Sequence, residues 1–250
     1  MTNTMTSKCL LIICACFISG VSSQDLSYNS SISNIENIRG LVKPKSRAVL
    51  SSEISGKIVE IRYGLGERFN EGDLLVRFDC ERYMADLASA NAKFTVESKK
   101  YENYKKLLEL NATSDIDVEV SLAEMEMARA EATIRRIFAN GCSINAPYNG
   151  RVTDVFVNEF ETVLADQELI SILNDQLLVI ELIIPSTWLM DMNASEEFIF
   201  SVDETGREYA AKITQIGAIV DPVSQTVRLI GEFLDTPDDV LSGMSGTATF

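Results

Sequence analysis

The chain has 250 residues, enough to bury a substantial core as one large domain or several small modules, and 46% of them are hydrophobic, so disorder is excluded as its main state. Its 37 acidic residues against 22 basic ones give a formal charge of −15, which repels phosphate backbones and anionic headgroups and argues against nucleic-acid binding. Histidine is absent, which removes the commonest general base, the usual metal ligand and every Ser-His or Cys-His nucleophile pair.

Residues 1–23 read as an export signal: a polar start with Lys8, an apolar run from Cys9 to Val21, then Val21-Ser22-Ser23 before Gln24. The apolar run is too short to span a bilayer. A lipid anchor is the alternative, because Ile13-Cys14-Ala15-Cys16 is similar to a lipoprotein processing box. Residues 24–40 are Ser- and Asn-rich and read as a flexible leader. Residues 41–50 offer one barrel strand. Ile58-Val59-Glu60-Ile61 and Leu74-Leu75-Val76-Arg77-Phe78 then read as short strands between turn glycines at Gly56, Gly64, Gly66 and Gly72.

The period changes at Cys80. Apolar or small residues recur at Tyr83, Leu87, Ala90, Phe94, Tyr101, Tyr104 and Leu108, broken only by Glu97. After Asn111-Ala112-Thr113-Ser114-Asp115, a second series runs Ile116, Val120, Ala123, Met127, Ala130, Ile134, Ile137. Steps of four and three are the signature of heptad seams. Two such helices joined by a short link fold back as an antiparallel hairpin over 80–142, a rod with a first arm about 45 Å long. Ser114 or Asp115 is the expected N-cap of the second arm, and Asn140-Gly141 its stop.

An internal repeat flanks the hairpin: Gly56-Lys57-Ile58-Val59-Glu60-Ile61 matches Gly150-Arg151-Val152-Thr153-Asp154-Val155, and the strand within 72–79 matches that within 167–174. Each copy is too small to bury a face alone, so residues 51–79 and 143–175 are expected to pack face to face as one flattened sandwich clamping the rod's base. Residues 176–250 are again β-rich, with turns at Asp203-Glu204-Thr205-Gly206 and Asp221-Pro222, and predict a small β-barrel. The fold class is therefore α+β: an elongated modular protein with a coiled-coil hairpin inserted in a β-sandwich, followed by a barrel.

Ser55-Gly56-Lys57-Ile58 with Gly72-Asp73-Leu74-Leu75, then Ile144-Asn145-Ala146-Pro147-Tyr148-Asn149-Gly150-Arg151-Val152, and the closing Leu241-Ser242-Gly243-Met244, together resemble the periplasmic adaptor, or membrane fusion, proteins of tripartite efflux and secretion systems. The similarity spans residues 38–250 and makes the sandwich biotinyl-lipoyl-like. It implies a periplasmic chain, associated with the inner membrane, that joins an inner-membrane transporter to an outer-membrane channel and self-associates into a ring. In pumps of the resistance-nodulation-division type, Arg, Leu and Ser at the hairpin tip contact the channel. Here those positions fall on Asn103, Leu107 and Ser114, so leucine and serine match and arginine does not; Lys105 and Lys106 stand nearby. The family often adds a membrane-proximal β domain, expected here to be absent or truncated, which would leave transporter docking to the barrel and lipoyl-like faces. A coiled-coil envelope protein linking other partners, or an adaptor of an ABC-type secretion system, is the alternative reading.

No enzymatic site, metal site or cofactor is expected. The rod takes the place of the turn that bears the modified lysine in lipoyl carriers, and Asp79, Glu81, Asp86, Asp115 and Asp117 read as acidic residues near helix N-termini, where the helix dipole favours them. Cys80 and Cys142 flank the hairpin and come to the same end of it. A disulfide there requires the chains to converge below the usual 8 to 10 Å between helix axes, and two free thiols are the other outcome.

Overall fold

The computed structural model describes residues 37–190 and 192–250; the expected export signal over 1–23, and the leader as far as residue 36, lie outside them. In chain order the elements are β1 (Ile38–Pro44), β2 (Arg47–Ser51), β3 (Gly56–Ile61), β4 (Arg68–Phe69), β5 (Leu74–Phe78), α1 (Glu81–Glu109), α2 (Asp115–Asn140), β6 (Ser143–Asn145), β7 (Gly150–Val155), β8 (Thr162–Val163), β9 (Glu168–Leu173), β10 (Leu178–Pro185), β11 (Glu197–Val202), β12 (Arg207–Asp221), β13 (Thr226–Phe233) and β14 (Ser245–Thr249). A short 3-10 turn, Ser186–Met190, follows β10.

The sandwich has two four-stranded sheets, ordered β2-β9-β7-β4 and β6-β5-β3-β8. The order encodes the sequence repeat with an exchange. β4, from the first half, pairs with β7 of the second, and β8, from the second half, pairs with β3 of the first. β2 likewise pairs with β9, and β6 with β5. Ile58 and Val152, equivalent in the two copies, are buried in one shared core with Leu75, Leu169 and Ile172. Gly150 is required where β7 enters its sheet, since a Cβ there would run into the Leu173 carbonyl. Asp175, largely shielded from water, accepts from Arg68 Nε at 2.9 Å and Arg151 Nε at 3.2 Å, joining β4 to β7 by charge as well as by backbone.

The barrel is closed in the order β1-β10-β13-β12-β11-β14. Closure removes the unpaired edge an open sheet would expose. Large apolar side chains fill it, with Leu182, Ile184, Phe200 and Leu229 among those fully buried. Leu241–Met244 is the latch: Gly243 N–H donates to the Val42 carbonyl and Val42 N–H to the Met244 carbonyl, both at 2.8 Å.

Two boundaries differ from the expectation. The leader does not run to residue 40, because β1 begins at Ile38 and pairs with both β10 and β14. Gly40 hides this strand in the sequence, yet glycine is what fits there: a Cβ would meet Leu182 Cδ2 at 2.6 Å and Phe200 Cε2 at 2.7 Å. Residues 41–50 also do not form one barrel strand. β1 ends at Pro44, and β2 belongs to the sandwich, pairing with β9. The two crossings between barrel and sandwich run side by side, with Lys45 N–H donating to Leu177 O at 2.8 Å and Asn174 N–H to Ser46 O at 2.9 Å.

Candidate functional site

The candidate site is the helical hairpin, from its fastened base to its tip. β5 and β6, the strands that lead into and out of it, are hydrogen-bonded neighbours, with Arg77 opposite Ser143. Phe78 N–H donates to the Cys142 carbonyl at 2.9 Å, and Tyr83 Oη donates to the Ser55 carbonyl at 2.8 Å, tying the first turn of α1 to the sandwich. The chains do converge here. Cys80 and Cys142 have Cα atoms 5.9 Å apart, within the bridging range, and their sulfurs are joined. Asp79 Oδ1 accepts from Glu81 N–H at 3.3 Å, which accounts for that carboxylate as a helix-start contact.

Above the base the helices run antiparallel, Tyr83 against Phe138 and Lys100 against Glu124. On α1 the expected seam residues do face inward: Ala90 is buried, and Tyr83, Leu87, Phe94, Tyr101, Tyr104 and Leu108 are half-buried. On α2 the expected seam is wrong. Ile116, Val120, Ala123, Met127, Ala130, Ile134 and Ile137 are all exposed, and the buried residues are Ser121, Ala128 and Ala132, with Val118, Met125, Arg135 and Ala139 half-buried at the same helical spacing. The physical reason is size. The observed register puts Phe94 level with Ala128 and Tyr101 level with Ser121, so bulky α1 side chains fill the interhelical space and α2 must present small ones. Glu97, the break in the α1 series, sits 3.6 Å from Lys100, whose ammonium also pairs with Glu124. That hydrogen bond to Glu124, and the charges of both glutamates, hold Lys100 protonated to higher pH than usual.

At the tip, Ser114 is the N-cap of α2 in a reciprocal capping box with Asp117. Its Oγ accepts from Asp117 N–H at 3.2 Å and donates to Asp117 Oδ2 at 2.6 Å. The same carboxylate oxygen accepts from Ser114 N–H at 3.1 Å and Thr113 Oγ1 at 2.9 Å. These hydrogen bonds, the Ser114 hydroxyl foremost, lower the pKa of Asp117 below the ordinary carboxylate range. Asn103 is exposed on α1, Leu107 is half-buried, and the Ser114 side chain is engaged within the turn. The structure therefore gathers the three expected tip residues into the last two turns of α1 and the first of α2, in three different environments. Sequence reasoning missed Leu110 and Asn111. Leu110 is 75% exposed just past the end of α1, and Asn111 adopts a left-handed backbone with φ 54°. The signal available was that Leu110 falls outside the heptad series.

Among the described residues, no group of three or more His, Cys, Asp or Glu is placed to hold a metal ion, and no helix is long and apolar enough to cross a membrane.

No family model matches the chain. Among curated proteins it is 24% identical over 213 residues to the nodulation protein NolF of Rhizobium meliloti, across 79% of this chain and 58% of that one. It is 29% identical over 107 residues to the toluene efflux pump periplasmic linker protein TtgD of Pseudomonas putida, across 43% of this chain and 28% of that one. Among solved structures, the MacA-MexA chimera carrying the Pseudomonas aeruginosa MexA α-hairpin domain superposes with a TM-score of 0.72 at 23% identity, covering 85% of this chain and 79% of the other. The membrane fusion protein Spr0693 of Streptococcus pneumoniae gives 0.70 at 15% identity, covering 85% and 97%. The chain has the fold of the membrane fusion proteins. The chain spans 55% and 58% of the length of the first two curated relatives, an uncharacterized Haemophilus influenzae protein and NolF. Its lipoyl-like sandwich, inserted hairpin and six-stranded barrel follow one another in the expected order.

Proposed function

We propose that this chain is the periplasmic adaptor subunit of a tripartite efflux pump, joining an inner-membrane transporter to an outer-membrane channel for the export of small molecules. The observation that carries the reading is the hairpin itself: two long helices fastened to a sandwich at the base, with an ordered, capped turn at the far end. The work is mechanical. The base holds the arms in register, the tip meets the channel, the barrel and lipoyl-like faces meet the transporter, and copies stand side by side in a ring.

At the tip, Leu107 and exposed Leu110 supply apolar contact, and Asn103 takes the position that is arginine in the resistance-nodulation-division adaptors. Ser114 contributes by fixing the turn, because its hydroxyl is already committed to Asp117. The test is a photo-crosslinking residue at Leu107 or Leu110 in cells, with the adducts identified by mass spectrometry. Capture of an outer-membrane channel is the expected result. Recovery of other envelope proteins and no channel would overturn the reading in favour of a different envelope linker.

A further inference from the structure

The series misassigned to the interhelical seam leaves α2 with an apolar stripe of coiled-coil spacing on the side away from α1. Ile116 is 70% exposed, Met127 66% and Ile137 59%. A stripe of this regularity, rimmed by exposed Asp115, Glu119 and Glu126, has the anatomy of a helix-helix seam with acidic flanks.

The complementary surface is on the same molecule. The face of α1 turned away from α2 carries exposed Ala85, Ala88, Ala92 and Val96 in its base-proximal half and exposed Lys99 and Lys106 toward the tip. These also step by three and four residues. Read in the register observed within the hairpin, Ala85 and Ala88 come level with Ile137 and Ile134, small against large. Lys99 and Lys106 come level with the acidic half of α2, Lys99 between Glu126 and Glu119, and Lys106 beside Asp115. Both size and charge therefore match when a second hairpin stands alongside the first, pointing the same way.

We infer that the outer face of α2 in one copy docks on the outer face of α1 in the next. The two faces differ, so the contact is heterologous and repeats from copy to copy, closing into a ring if the rotation permits. This rests on the adaptor reading for the parallel orientation of the copies and specifies the surface that joins them. Within one chain Ala88 and Ile134 lie on opposite sides of the hairpin, so they meet only between chains.

The experiment is oxidative cross-linking of the full-length A88C/I134C variant, with native Cys80 and Cys142 retained, read on denaturing gels. A ladder of dimers and higher species is expected, absent from either single variant. It is lost on adding K99E and K106E and restored by E119K and E126K. An unlinked double variant at concentrations where the wild type self-associates in the ultracentrifuge, a wild type that stays monomeric, or a ladder indifferent to charge reversal overturns the interface. Channel capture at Leu110 separates the two proposals: capture without the ladder sinks this contact alone, and the ladder without capture sinks the adaptor reading alone.

Discussion

In the barrel, burial runs through large side chains, Phe200, Leu182 and Ile213 among them, whereas between the two helices the buried side chains are Ala90, Ser121, Ala128 and Ala132. A barrel of this kind holds itself together through apolar area. A two-helix hairpin buries little, so its rigidity has to come from elsewhere: the strands and cysteine pair at the base, aromatic packing along one arm, and the capping box at the tip. The same chain thus contains a module stabilised from its centre and another stabilised from its ends.

The largest effect that would break this contrast lies in the barrel. Phe200→Ala should lower unfolding stability by about 3 to 5 kcal/mol, seen as a fall in the denaturant midpoint, because it empties a fully enclosed site that also loses its edge contact with Phe233. Next comes the base. Replacing both Cys80 and Cys142 by serine should cost about 2 to 4 kcal/mol, since the bond closes a loop across a sequence separation of 62, and non-reducing mass spectrometry should find the wild-type pair two mass units lighter than two thiols. In the seam, Ala128→Leu should destabilise the hairpin by about 1 to 3 kcal/mol through overpacking against Phe94, read as lost helical signal on heating. The similar-sized change Ile134→Ala on the exposed face should move the monomer by about 0.5 kcal/mol or less. If these last two effects came out reversed, the assignment of the α2 seam would be wrong.

At the tip, Ser114→Ala should cost about 1 kcal/mol by removing the cap. The acid response has a defined sign. The Asp117 pKa is lowered in the folded state, so its contribution is present at neutral pH and disappears as pH falls through that lowered value. Amide exchange at the start of α2 should therefore accelerate in acid, and Asp117→Asn should abolish the dependence.

Much of this was legible in the sequence for identifiable reasons. The repeat around Ile58 and Val152 and the long Gly- and Pro-free stretch from Cys80 to Leu110 are local signals. So were Ser114 as a cap and the return of Cys80 and Cys142 to one end of the hairpin. The exchange of β4 and β8 between halves was not legible, because two-residue strands carry no periodic pattern and their partners are remote in sequence. β1 was obscured by Gly40, whose lack of a side chain is what the barrel interior demands. The α2 seam was misread because apolar size was taken to mark the inner face. There the inner face is set by what α1 brings, and the conspicuous Ile and Met residues are left outside.

The 5.9 Å between the Cα atoms of Cys80 and Cys142 is a span that an ordinary β-turn bridges. Seen from the sandwich, the helical arm is thus a detachable cassette plugged into a socket of fixed width. Arms of other lengths would fit the same socket, each added pair of heptads moving the tip by about 10 Å while leaving the sandwich unaltered. The reach of the arm can thus evolve separately from the body that carries it.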